Sequence, residues 1–447
     1  MSYEDARFWH PMMRPAAMRE RKPLRIVRGD GCYVFDDAGR KFVDGVAGLW
    51  NVNVGHNRPE IKRAITDQLE QLEYFQLFDG VSNPKAEQLS AQLIDVLSPE
   101  HMARVVYSSN GSDATETALK LSRQYWKAIG QGERTKFISL KEAYHGSHFL
   151  SASVNGNAVF RRNYEPLVPG CFQVQNPWIY RNPFTHDPAE LAEICARLLA
   201  REIEFQGPDT VAAFIAEPVQ GAGGVIVPPA TYWPLVREVC DKYGVLLIAD
   251  EVVTGFGRTG SLFGARGWGV APDFMCFAKG LSSGYVPLGA TVFNGRVADA
   301  IESSPEFAGA VMHGYTYAGH PVGCAAAIAS LEIALKDDLP GNAGRQGAYL
   351  LQALQPFVDR YEAVGEVRGK GLMLAIDLVN DKKTRETINP MSGYAYAIAE
   401  AARRSGAIVR PVGTKIILSP PLVIQRPEID GIIAALDAAF KEVPFTR

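Results

Sequence analysis

The sequence predicts an α/β protein organised around a buried sheet. Three observations carry this. The run Val245 to Ala249 is almost purely apolar and ends in two carboxylates, Asp250 and Glu251. A second apolar run, Phe274 to Ala278, ends in Lys279. Both runs are too short for helices and stand beside turn-forming residues, so they read as strands buried on both faces. The third is a strand, a turn of small residues and a helix in direct succession over 104–128. In open α/β sheets, ligands sit beyond the carboxyl ends of the strands.

The chain has 447 residues. Domains peak at roughly 100–150 residues, so two or more lobes are expected. A formal net charge of −3 offers no electrostatic footprint for nucleic acid or an acidic membrane surface. The basic cluster Arg19, Arg21, Lys22, Arg25 and Arg28 reads as a solvated face or a subunit contact. Six scattered cysteines without a CxxC argue for a reducing compartment, and against a disulfide framework or a zinc site. The N-terminal stretch shows no long apolar segment of a signal peptide, and no run approaches the ~20 apolar residues of a membrane helix. A cytoplasmic protein is the expectation.

Taken in order, CYVFDDAGRKFVDG reads as two short strands joined by Asp36-Asp37-Ala38-Gly39, a hairpin. Pro59 fits the first turn of a helix. Ile61, Ala64, Ile65, Leu69 and Leu72 repeat at helical spacing through 60–73. A second helix is expected over 84–97, a strand over 104–107, a helix over 114–128 and a strand over 136–140. Residues 155–190, rich in Pro and Asn, read as a long excursion. A helix over 187–205 leads to a strand over 211–216. An alanine-rich helix over 321–336 opens the passage to a C-terminal lobe. In that lobe 368–376 reads as a turn and strand, and 407–411 and 415–418 as paired strands.

Several strand ends carry chemistry. Lys279 lies among Gly280, Ser282, Ser283 and Gly284, where a bulky group would find room. Gly255, Gly257 and Gly260 let the backbone turn tightly after Asp250. An amine nucleophile and a buried acid facing one crevice suit pyridoxal phosphate: the amine takes the aldehyde, and the acid pairs with the pyridinium nitrogen. The turn Ser108-Ser109-Asn110-Gly111-Ser112-Asp113 before a helix is a candidate anion cradle, or a plain N-cap by Ser112 or Asp113. Tyr144 follows a strand end and can cover one face of a pyridine ring, or pack in the core. His145 and His148 have no third ligand nearby, so no metal is expected. Arg410, at a strand end before Pro411, can hold a carboxylate bidentately or simply face solvent.

The motifs DEVVTGFGRTG and AKGLSSGYVPLGA resemble the class III (omega) aminotransferases, which depend on pyridoxal phosphate. The resemblance runs in ordered blocks from about Trp50 to Arg410. It implies the aspartate aminotransferase-like fold of pyridoxal-phosphate-dependent transferases: a large domain with a mostly parallel seven-stranded sheet, and a smaller α+β domain. The implied division is an N-terminal segment 1–60 belonging to the small domain, a large cofactor-binding domain 61–320, and a C-terminal small domain 321–447.

It also implies roles. Lys279 and Asp250 are catalytic. Ser109, Gly111 and Ser112 hold the phosphate, although the family often has Glu where Asp113 stands. Tyr144 stacks on the ring and Val253 packs on its opposite face. Glu217 lies near the phenolic oxygen. Thr316 reaches the phosphate of the neighbouring subunit's cofactor, so a homodimer with shared active sites, or a pair of such dimers, is expected. Trp50 stands at the mouth of the substrate pocket, and Ala222 and Phe8 complete an apolar wall with Tyr144. Arg410 becomes a mobile clamp for the keto acid.

No second arginine for a distal carboxylate is evident, which favours amines or ω-amino acids as donors and pyruvate as acceptor. The alternatives at this point are a 2-oxoglutarate-dependent member (4-aminobutyrate, ornithine or diamine type), an aminomutase or decarboxylase on the same fold, and a non-catalytic protein that kept only the fold.

Overall fold

A computed structural model describes residues 7–19 and 23–445. Arg21 and Lys22 of the basic cluster lie outside the described residues; Arg25 pairs with Asp37 at 3.4 Å, and Arg28 lies over the Phe35 ring. The strands are β1 (Ile26–Asp30), β2 (Tyr33–Asp36), β3 (Lys41–Asp44), β4 (Met102–Ser108), β5 (Lys136–Leu140), β6 (Cys171–Val174), β7 (Val211–Ala216), β8 (Leu246–Asp250), β9 (Phe274–Phe277) and β10 (Gly289–Asn294). The C-terminal part adds β11 (Val364–Gly369), β12 (Leu374–Asp381), β13 (Glu386–Thr387), β14 (Ala407–Ile408), β15 (Arg410–Val412) and β16 (Lys415–Leu418).

The central sheet has seven strands in the order β4-β10-β9-β8-β7-β5-β6. All its pairs from β9 through β6 are parallel. Only β10 opposes its neighbours, pairing antiparallel with both β9 and β4. Hence β4, β5, β7, β8 and β9 all point the same way, and their carboxyl ends open onto one edge. Every residue of β7, β8 and β9 is buried, as expected for strands covered by helices on both faces.

Three expectations are amended here. The excursion 155–190 contains β6, which extends the sheet edge beside β5. The turn and strand expected over 368–376 belong to a hairpin whose first strand, β11, precedes the turn and whose second is β12. The strands expected over 407–411 and 415–418 do pair as β15 and β16, but Ala407–Ile408 leaves to join β3 in parallel. The N-terminal hairpin β2–β3 thus shares a four-stranded sheet with β14. One apolar core correspondingly joins Cys32, Val43, Val54 and Ile61 to Ile398, Ala402, Ile432 and Leu436.

A fully buried arginine ties these parts together. Arg258 Nη1 donates to the carbonyls of Leu372 (3.0 Å) and Pro420 (2.5 Å), and Nη2 donates to Asn53 Oδ1 (2.9 Å). Its loop turns at Gly257 (φ +100°) and Gly260 (φ +91°), a backbone region that side chains other than glycine rarely adopt. Glu251, the second carboxylate after β8, faces away from the open edge. It accepts from Thr254 Oγ1 (2.5 Å), Gly264 N (2.9 Å) and Ala265 N (2.7 Å), and so staples that same loop.

Candidate active site

The open sheet edge encloses a cavity of about 530 Å³. Five strands of like direction supply its floor: Ser109 to Ser112 after β4, Tyr144 after β5, Glu217 after β7, Asp250 closing β8, and Lys279 just past β9. The wall above holds Trp50, Phe160, Ala222 and Arg410. Nearly all the candidates named from the sequence therefore converge on one cavity. Phe8 and Thr316 stand outside it in the single chain. Phe8 is exposed and packs against His10, while Met12 of the same segment lines the cavity. Thr316 is exposed, with its carbonyl accepting from Tyr74 OH at 2.6 Å.

The helix after β4 is Gly111–Ala128, three residues longer at its start than the pattern suggested. The cap is Asn110, whose Oδ1 accepts from Asp113 N at 3.0 Å, rather than Ser112 or Asp113. Of the N–H groups that a helix start leaves without internal partners, Asp113's goes to this cap and Ala114's to the Asn110 carbonyl. Those of Gly111 and Ser112 remain at the cavity wall, where the positive end of the helix dipole favours an anion. A Cβ on Gly111 would meet Val252 at 2.8 Å, so only glycine keeps this end of the cavity open.

Glu217 fastens two loops. Its Oε1 accepts from Tyr144 N (3.0 Å) and its Oε2 from Gly221 N (2.7 Å). Burial pushes its carboxyl up to about 7, with Asp250 adding to the shift while His145 and the two backbone donors oppose it. Asp250 is 4% exposed. It accepts from Val252 N at 3.1 Å and lies 2.7 Å from His145 Nδ1. With the proton on Nδ1, the ring donates to Oδ2 and holds the carboxylate in one orientation. His145 was considered in the sequence only as a metal ligand; its place against Asp250 is a site contact that reading missed. No metal-binding group of three or more His, Cys, Asp or Glu residues occurs among the described residues.

Lys279 is partly buried and sits at φ +41°, an uncommon conformation for a side-chain-bearing residue and one met at functional sites. Burial pulls its ammonium below the usual lysine value; Asp250 and Glu217 oppose that, and Arg410 reinforces it. That direction eases loss of the proton, which a nucleophilic amine must give up. Burial also lowers Arg410, with Tyr396 and Tyr144 opposing. Tyr144 and Phe160 lie 4.7 Å apart between ring centroids.

These residues fit pyridoxal phosphate. An amine for the aldehyde, a buried carboxylate for the ring nitrogen, and a glycine-lined helix start for the phosphate open onto one cavity.

Comparisons with known proteins agree. Residues 16–440 match the family model for class III aminotransferases. A putrescine–pyruvate aminotransferase of Pseudomonas aeruginosa is 39% identical over 93% of this chain and 90% of its own length. An amine transaminase from an uncultivated Pseudomonas species, solved with pyridoxal phosphate bound, superposes with a TM-score of 0.97 at 56% identity, covering 98% of this chain and 99% of that one. An (S)-enantioselective omega-transaminase from Thermomicrobium roseum superposes at 0.94 with 42% identity, over 98% and 97%. The chain belongs to the class III aminotransferases and is a pyridoxal-phosphate-dependent transaminase.

Proposed function

We propose that the chain moves an amino group from a primary amine or ω-amino acid to pyruvate. One observation carries this reading. Arg410 is the only arginine lining the described cavity, and the wall around it is Met12, Leu49, Trp50, Phe160 and Ala222. One guanidinium suits a monocarboxylic keto acid, and the apolar wall suits an uncharged substituent. The relatives named for amines and for pyruvate support it. The test is an amine panel run with pyruvate and with 2-oxoglutarate. Faster turnover with pyruvate is expected; strict use of 2-oxoglutarate would overturn the reading.

In this reading Lys279 anchors the cofactor and Asp250 keeps the ring nitrogen protonated. Bound pyridoxal phosphate supplies the electron sink for the donor's amine-bearing carbon. Once displaced from the cofactor, Lys279 Nζ would move the proton from that carbon to the cofactor's aldehyde-derived carbon, and would carry one the other way in the reverse half-reaction. His145 Nδ1, 2.7 Å from Asp250 Oδ2, holds that carboxyl in place. Tyr144 and Val253, both lining the cavity, would hold the ring, and Gly111, Ser112 and Ser109 would receive the phosphate. Arg410 orients the keto acid carboxylate.

Two outcomes follow. Arg410→Ala raises KM for pyruvate roughly a hundredfold, the loss of a charge-assisted pair, and leaves KM for the amine within a few-fold. Steady-state kinetics with each substrate varied separately checks this. Gly111→Val fills the helix start against Val252, and cofactor affinity falls roughly tenfold or more while the fold persists. Absorbance titration of the apoenzyme with pyridoxal phosphate reads that loss.

The same reading makes the active unit a homodimer. The segments around 74–81 and 312–317 pack together through Tyr74 and Tyr317 (centroids 5.6 Å apart) and leave Phe78, Met312 and Tyr317 exposed, an apolar surface suited to a second copy. It places Thr316 in the neighbouring subunit's site and divides the chain near 60 and 320, in keeping with the sheet shared by β3 and β14. It also keeps the chain in the cytoplasm, consistent with six free cysteines. No helix among the described residues is long and apolar enough to cross a membrane.

A further inference from the structure

We propose that Arg368, on β11 and outside the cavity, sets the range of donor sizes the enzyme accepts. It does so by clamping the turn that carries Ala222. This rests on the amine transaminase reading above.

The turn is tight and strained. Gln220 and Ile226 close it by exchanging N–H to carbonyl bonds of 3.2 and 3.0 Å. Inside it, Gly224 N and Val225 N both donate to the Gly221 carbonyl, at 2.9 and 3.1 Å. Gly224 stands at φ +113° and Val225 at φ +56°. A β-branched residue in that region is an outlier, so the surroundings must hold it there. The Val225 side chain is buried in an apolar cluster with Met373 and Ile417, and Arg368 holds the turn's carbonyls. Its Nε donates to the carbonyls of Gly224 and Val225, both at 3.0 Å, and its Nη2 donates to Gly224 O at 2.5 Å.

Arg368 is itself fixed from behind. Nη1 pairs with Glu366 Oε2 (2.6 Å) and Asp377 Oδ2 (3.0 Å), and the guanidinium lies 4.7 Å from the Trp178 ring centroid. Asp377 is fully buried and also holds Arg181 at 2.5 Å. The side of the turn that faces the cavity presents Ala222, while its Gly221 N–H is the donor to Glu217 Oε2. A rigid framework of charges in the C-terminal part therefore fixes one wall of the substrate cavity without touching substrate. With the wall fixed, a bulky donor cannot push Ala222 aside. Arg368 is a positioning residue in this scheme.

The test compares the holoenzyme with Arg368→Lys and with Val225→Gly. Lysine keeps the charge but loses the fork that spans two carbonyls. Glycine removes the buried side chain that packs the turn into the cluster with Trp50, Met373 and Ile417 and adds backbone freedom, so it loosens the turn while leaving the charge cluster intact, which covers the case in which the arginine variant folds poorly. The readout is the ratio of kcat/KM for a bulky amine to that for a small one, with pyruvate as acceptor. Both variants are expected to raise this ratio about tenfold, the range that a relaxed apolar wall controls. Hydrogen exchange over 220–226 should quicken in parallel. An unchanged ratio, including equal loss of kcat/KM for both amines, overturns the proposal. Absence of amine turnover in the unmodified enzyme would instead overturn the functional reading on which it rests.

Discussion

Lys279→Ala abolishes amine turnover, with kcat falling on the order of 10⁴-fold or more, because one amine serves as both anchor and proton carrier. The geometry makes the loss specific. Lys279 is the only lysine lining the cavity among the described residues, so no neighbour can take over. Burial lowers its amine below the usual lysine value, toward the nucleophilic form that attacks an aldehyde. Alanine should still accept φ +41° in a segment that the surrounding fold already holds, so folding survives. The check is borohydride reduction of the holoenzyme followed by peptide mass spectrometry. The unmodified chain retains a covalent adduct at residue 279 and the alanine variant retains none. An adduct on another lysine in the unmodified chain would remove the basis of the site.

Which parts of this arrangement could be read from the chain follows from where their determinants lie. β8 and β9 were readable because an unbroken apolar run between turn residues has few alternatives to a buried strand. Their terminal Asp250 and Lys279 were readable with them, since a charged residue directly after such a run sits at the sheet's carboxyl edge. β10 was not anticipated: its residues, GATVFN, are less uniformly apolar, and nothing local says that it runs antiparallel between β4 and β9. β6 was hidden in the same way, as a four-residue edge strand inside a Pro-rich excursion.

The start of the helix after β4 was placed late because Ser112 and Asp113 offered rival caps, and the Asn110 side chain won by reaching Asp113 N. His145 and Arg368 were invisible in their roles for a different reason. Their partners are 105 and 144 residues away, and only the assembled sheet brings them together. Met12 replaces Phe8 at the cavity for the same reason: both lie in one aromatic-rich segment, and the choice depends on how that segment crosses the site.

Asp250→Asn lowers kcat by about 10³-fold and does so by a similar factor for every amine, large or small. The substitution keeps the shape of the side chain and removes its charge. Two donors now serve Asp250, Val252 N at Oδ1 and the His145 ring at Oδ2. An amide can accept from only one of them and must point its NH₂ at the other. If the amide oxygen stays toward Val252 N, the NH₂ meets His145 Nδ1, and the ring must move its proton to Nε2, an atom buried without a partner among the described residues. Both changes weaken the negative charge opposite the ring nitrogen, so the pyridinium loses its counterion in a cavity where charge is poorly screened. The effect acts at the cofactor, away from the wall formed by Trp50 and Ala222, which is why donor size should not matter. This separates it from Arg368→Lys, where size alone should matter. Single-turnover kinetics with two amines of different bulk makes the comparison: parallel losses of about 10³ for the asparagine variant place Asp250 at the ring, whereas a loss confined to bulky donors would place it in the substrate wall.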